Sequence, residues 1–178
     1  MERGFELAEE GARLGCHHCQ GVLAYCHWRA WGCEVDYARS LELARESSGR
    51  GSRYGQVALG KLHHAGEGGL AVEYAQAVAF YRLAAAQGLD EAQWSLGYMY
   101  LNGYGVARNL AEALRWFQLA AAQGHPVALY SVAQCHEYGQ GVGRSTRDGS
   151  KAAAILWYRR ALAAGHYGAE YDLQRLDA

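Results

Sequence analysis

Similar stretches return along this chain at an almost fixed interval, and such self-similarity restricts the fold to a stack of like supersecondary units. The segment Ala92-Gln-Trp-Ser-Leu-Gly-Tyr-Met-Tyr-Leu-Asn-Gly-Tyr-Gly-Val106 is followed by Ala113-Leu-Arg-Trp-Phe-Gln-Leu-Ala-Ala-Ala-Gln-Gly124. A later copy begins at Ala128 and carries Tyr138-Gly-Gln-Gly-Val142, then Trp157-Tyr-Arg-Arg-Ala-Leu-Ala-Ala-Gly165. Earlier copies carry Phe80-Tyr-Arg-Leu-Ala-Ala-Ala-Gln-Gly88 and, more degenerately, Ala30-Trp-Gly32, Asp36 and Gly51. Units start at Cys19, Gly55, Ala92, Ala128 and Ala169, at intervals of 36, 37, 36 and 41 residues. The extra five residues fall in a loop at 143–149.

Each unit contains two stretches with apolar residues at three- and four-residue spacing, the pattern of amphipathic helices. In the third unit they cover Ala92 to about Asn102 and about Asn109 to Gln123. Asp36, Asn109 and Ser150 are placed to N-cap second helices, Gly51, Gly88, Gly124 and Gly165 to end them. Gly103 and Gly105 close a first helix and turn the chain. Pro126, the only proline, falls in a first helical turn, where its missing N–H costs nothing. A phosphate-binding glycine loop requires a preceding strand, and no segment reads as one.

The recurring residues Ala92, Leu96-Gly97, Tyr100, Gly103-Tyr-Gly105-Val106, Ala113, Trp116-Phe117, Ala120-Ala121 and Gly124 resemble the Sel1-like repeat family of TPR-like α/α solenoids. The resemblance covers about 19–168 and implies an all-α, right-handed superhelical solenoid of antiparallel helix pairs. The units are 19–54, 55–91, 92–127 and 128–168, flanked by half-repeat helices within 1–18 and 169–178. A helix pair cannot bury its apolar face alone, so stacking supplies the core. Ala92, Ala113, Ala120 and Ala121 allow close approach, while Leu96, Tyr100 and Trp116 are expected to fill the gaps between units.

The net charge is −1, with 17 basic and 18 acidic side chains and no run of five like charges. A nucleic-acid partner calls for a basic excess or stripe, which is missing. No apolar run approaches a membrane span of roughly 18 residues. The acidic, helical Met1 to Glu10 segment reads as neither a signal nor a transit peptide. Together with an odd count of five cysteines, this points to a reducing intracellular compartment with free thiols.

Cys16-His17-His18-Cys19, with Cys26, His27 and Cys33 downstream, has ligand-type spacing and invites a zinc or redox reading. Repeat alignment gives Cys26 the apolar slot of Leu62, Met99 and Cys135. Cys33 takes the slot of Val106 and Val142, and Cys19 the small-residue slot of Ala92. Those three are expected in the core, where free cysteine acts as a small hydrophobe. Cys16 has no core role, and a Cys16–Cys19 pairing stays open. His27, His63 and His136 share the slot of Tyr100 and are expected as packed rings, while His125 and His166 fall in loops. No Gly-x-Ser-x-Gly or His-Glu-x-x-His motif occurs, and acidic residues look scattered over solvent positions, so neither catalysis nor a cofactor is expected.

In TPR-like arrays the first helix of each unit lines the concave surface. The resemblance therefore implies a partner-binding row of Tyr25, Trp28, Arg29, Lys61, His64, Trp94, Tyr98, Leu101, Asn102, Tyr130, Gln134, Glu137, Tyr138, Tyr171 and Arg175. Trp28 and Trp94 serve packing between units equally well. Rings interleaved with a few charges are the composition of binding hot spots. Three functions are compatible: a non-enzymatic protein-interaction scaffold, a structural subunit of a larger assembly, and a redox or zinc switch at Cys16, His17, His18 and Cys19. In the second, α-helical residues Phe5, Leu7 and Leu14 would dock on another chain.

Overall fold

The computed structural model describes residues 2–143 and 147–177. Among them the chain forms α1 (Glu2–Arg13), α2 (His17–Arg29), α3 (Tyr37–Gly49), α4 (Arg53–Ala65), α5 (Tyr74–Ala86), α6 (Asp90–Asn102), α7 (Leu110–Ala122), α8 (Pro126–Glu137), α9 (Arg147–Ala163) and α10 (Gly168–Asp177), with no strand. The chain divides into two compact units, Met1–Ala92 and Gln93–Ala178. In the first, α2 packs on α1, α3 and α4, and α4 packs on α3 and α5. In the second, α8 packs on α7 and α9, and α9 on α10.

Local chemistry sets the helix ends. Asp36 accepts the Arg39 N–H at 2.8 Å, and Asn109 accepts those of Ala111 and Glu112 at 3.1 Å, satisfying donors that a helix leaves unpaired. Gly51, Gly88, Gly124 and Gly165 follow second helices with φ of +86°, +80°, +85° and +93°, the left-handed exit that glycine takes without a Cβ penalty. Between the helices of a pair, the N–H groups of Asp36, Glu73 and Asn109 donate to the carbonyls of His27, His63 and Tyr100 at 3.1, 2.9 and 3.0 Å. The same bond thus ties the connecting turn in three successive repeats.

Ser150 is not a cap. The helix begins at Arg147, so Ser150 lies inside α9 and residues 147–149 of the expected loop are helical. Residues 144–146 lie outside the described residues. A serine costs little in a first helical turn, and the inserted residues lengthen α9 to 17 residues against 13 in α7.

The cores are built from small residues facing rings. Adding a Cβ to Gly97 of α6 would put it 2.6 and 2.7 Å from ring carbons of Phe117 on α7, and at Gly60 of α4 it would meet Tyr81 of α5 at 2.6 Å. In the last repeat Ala133 and Tyr158 occupy the equivalent positions, both fully buried. Here the sequence expectation needs correction. Trp116 is only half-buried, its ring covered by the Arg115 guanidinium at 4.5 Å, whereas Phe117 is 1% exposed. Phe80-Tyr81 and Trp157-Tyr158 behave alike, the second ring inside and the first half-covered. Consecutive residues on a helix point about 100° apart, so only one of each pair can face the core. Tyr100 is likewise half-buried, while Leu96 is fully buried as expected.

Candidate interaction faces

The proposed binding row follows the first helix of each repeat, Tyr138 just past the end of its helix, at spacings of three, four, seven and eight residues, which align on one helix side. In the first unit this side is largely self-satisfied. Tyr25 is 7% exposed, and its hydroxyl accepts from Arg29 Nη1 at 3.1 Å, so it is a packed residue rather than a presented one. Burial, reinforced by the Glu91 carboxylate, pushes its phenol well above the usual range. Trp28 is half-buried; its Nε1–H donates to Glu67 Oε2 at 2.8 Å, and the Lys61 ammonium lies 5.4 Å from its ring. Lys61 itself pairs with Glu91 at 2.6 Å. His64 is half-buried edge-on to Tyr74, and burial lowers its pKa, aided by the Lys61 charge. Arg29 is exposed and lies 4.8 Å over the ring of Trp31, an exposed residue outside the predicted row.

In the second unit the rings form stacks. Trp94 lies on Tyr98 at 5.9 Å and on His125 at 6.0 Å, and its Nε1–H donates to Ser131 Oγ at 3.2 Å. His125 also caps α8, its Nδ1 accepting the Ala128 N–H at 3.1 Å. Tyr130 repeats the arrangement, stacked on His166 at 4.2 Å. The two loop histidines thus carry structural duties that loop placement alone did not suggest. Asn102 is exposed, with Nδ2 donating to the Tyr98 carbonyl at 2.9 Å, and Leu101 and Gln134 are half-buried. Tyr138 and Tyr171 are the exposed rings of the row, at 59% and 71% exposure.

Glu137 and Asp172, the sequence neighbours of these two rings, belong to a polar cluster that the repeat pattern did not reveal. Arg175 bridges Glu137 at 2.7 Å and Asp172 at 2.8 Å. The Tyr130 hydroxyl donates to Asp172 at 2.7 Å, and the Tyr158 hydroxyl donates to Glu137 at 2.6 Å. Burial, then the hydrogen bond to Asp172, pushes the Tyr130 phenol up to about 12. Asp172 is buried, so not all acidic residues face solvent. The signal was available in part: Asp172 and Arg175 are three apart on one helix and hence neighbours.

All five cysteines are free thiols. Cys26 is buried as expected, but Cys19 and Cys33 are only half-buried. Cys19, a bulkier residue than the buried Ala92 and Ala128 at the same helical position, lies in the first turn of α2 against Gly11 of α1, and Cys33 lies in the turn before α3, where its thiol meets His27 Nδ1 at 3.6 Å. Cys16 is the N-cap of α2, accepting the Cys19 N–H at 3.3 Å. That is the slot of Ser52 and His125, which cap α4 and α8 in the same way. Among the described residues no group of three His, Cys, Asp or Glu side chains is arranged to hold a metal. His17 and His18 pack ring on ring at 4.1 Å instead.

Among the described residues, helix pairs with matching caps and ring sockets in successive pairs define an α/α repeat protein. The Sel1 repeat model matches residues 17–52, 53–89, 90–125 and 126–166, and the chain belongs to the Sel1 repeat family. A protective antigen of uropathogenic Escherichia coli with an SLR fold is 34% identical over 90% of this chain, with a TM-score of 0.73. The chain spans 33% of that protein. It covers 66% of a Sel1 repeat protein from Oxalobacter formigenes, 22% identical over 97% of this chain at a TM-score of 0.78. A putative sel1 repeat protein from Klebsiella pneumoniae shares the fold at 16% identity and a TM-score of 0.56, over 98% of this chain and 99% of that one. None of the curated proteins matches the chain. The Sel1 repeat is a non-catalytic fold that mediates protein–protein interaction.

Proposed function

We propose that the protein is a non-enzymatic interaction scaffold that holds a segment of a partner protein against its first-helix face. The observation that carries this reading is the pair of open rings, Tyr138 and Tyr171, each next in sequence to a carboxylate of the Arg175–Glu137–Asp172 cluster. Exposed tyrosines next to charges already locked in place supply contact area at low ordering cost, the economy of a hot spot. An extended chain or helix would stack on the rings and hydrogen-bond to the polar rim. Within the second unit, Trp94 and Tyr130 support that surface from beneath; in the first unit Tyr25 is packed and lies outside the contact.

The test uses affinity purification from the native source with quantitative mass spectrometry, followed by titration of the recovered partner. Tyr138→Ala combined with Tyr171→Ala weakens binding at least about tenfold, or about 1.4 kcal/mol, with an unchanged melting temperature. Wild-type affinity in that variant overturns the reading. A second reading, a subunit built permanently into an assembly, is favoured by Leu7 and Leu14, 61% and 80% exposed on and just after α1. Sedimentation of the native complex distinguishes the two: a permanent subunit has no free pool.

A further inference from the structure

We propose that Cys16 and Cys19 form a thiol–disulfide exchange site that takes a small, glutathione-type disulfide as its oxidant. The extended backbone of an N-cap residue directs its side chain back over the first helical turn. Cys16, with φ −70° and ψ 106°, therefore holds its sulfur over Cys19, whose N–H it accepts at 3.3 Å. Both side chains converge on one glycine of α1: a Cβ at Gly11 would meet the Cys19 Sγ and stand 3.9 Å from the Cys16 Cβ. Two cysteine side chains gathered at one helix start in this way need only a limited movement to bond.

The two thiols stand in different surroundings. Cys16 stands at the helix N-terminus, near the Arg50 guanidinium, which is itself held by a 3.2 Å bond to the Gly15 carbonyl. Hydrogen bonds from the Cys19 thiol and N–H lower the Cys16 pKa, with Arg50 adding to the effect. Cys19 is turned toward α1, where Gly11 leaves room for it; a Cβ at Gly11 would stand 2.8 Å from the Cys19 Cβ. Its thiol is pushed up by that same hydrogen bond and by burial. A cap sulfur favoured as thiolate beside a thiol packed on the neighbouring helix is the division of labour of an attacking and a resolving cysteine.

The exchange balances without a cofactor. The Cys16 thiolate attacks one sulfur of the oxidant, forming a mixed disulfide and expelling one small thiolate. Cys19 then loses its proton to solvent and attacks the Cys16 sulfur. That step closes the Cys16–Cys19 disulfide and releases the second small thiolate. The protein gives up two electrons and two protons, and the oxidant becomes two thiols.

The full chain is equilibrated in glutathione buffers from fully reduced to fully oxidised, quenched in acid, alkylated and mapped by mass spectrometry. The expected result is a Cys16–Cys19 disulfide that rises with the oxidised fraction while Cys26 and Cys135 stay alkylatable after unfolding. In Cys19→Ser, glutathione is trapped on Cys16 at least about tenfold faster than on Cys19 in Cys16→Ser. Free Cys16 and Cys19 thiols throughout the series, or equal trapping rates in the two variants, overturn the proposal. The wild-type series stands alone if a variant fails to fold.

Discussion

Replacing Phe117 by Ala removes a ring that is 1% exposed and seated over Gly97. A cost of about 3–5 kcal/mol is expected in denaturant unfolding. Trp116→Ala, at the half-buried neighbour, costs less than half as much. Gly97→Ala inserts a methyl against the Phe117 ring and destabilises by about 1–3 kcal/mol. In a Phe117→Leu background the same insertion is milder, and a double-mutant cycle measures the coupling. Which of two adjacent rings is buried could not be read from Trp116-Phe117 alone, because both fit a three- and four-residue periodicity when the helix phase is uncertain by one residue. Tyr25 was misread for a related reason. Its slot holds Lys61 and Tyr98 in other repeats, and only packing against Trp28, Trp31 and Arg29 decides that this copy is covered.

The helix ends were far more legible. Asp36, Asn109, Pro126 and the terminal glycines act through bonds to residues two to four positions away, so sequence-local chemistry determines them. Asn109→Ala leaves the Ala111 and Glu112 N–H groups without their side-chain acceptor and is expected to cost about 1 kcal/mol by thermal or urea melting. Cys16→Ser keeps an acceptor at the start of α2 and is expected to be close to neutral for stability. The Ser150 expectation failed where the period itself breaks, since the inserted residues carry no alignment to fix their phase. The role of Cys16 was hidden by chemistry: sulfur is an unusual cap, and only the shared slot with Ser52 and His125 identifies it.

Each unit carries a histidine whose pKa burial lowers, His64 in the first and His136 in the second. For such a group the unfolded chain takes up its proton first as pH falls. The native state is therefore fully supported above the ordinary histidine value, and support drains away as pH drops below about 6.5. The melting temperature is expected to fall between pH 7.5 and pH 5.5. His64→Leu with His136→Tyr, which borrow the residues of the equivalent slots at Leu101 and Tyr100, should flatten that decline; an equally steep decline in the variant counts against the assignment. The Tyr130–Asp172–Arg175–Glu137–Tyr158 cluster was the least legible part of the chain. It joins side chains from α8, α9 and α10, and a repeat pattern describes what copies share rather than what one copy adds.

The glycine-and-ring pairing has a consequence for how such a chain grows. Gly60 with Tyr81, and Gly97 with Phe117, sit inside single repeats, on the two helices of one pair. A tandem duplication of one repeat therefore copies both the recess and the ring that fills it. The new segment arrives with its internal fit already made, and selection has only to adjust the seams on either side. Length in this family can change by whole repeats without inventing a new interior each time.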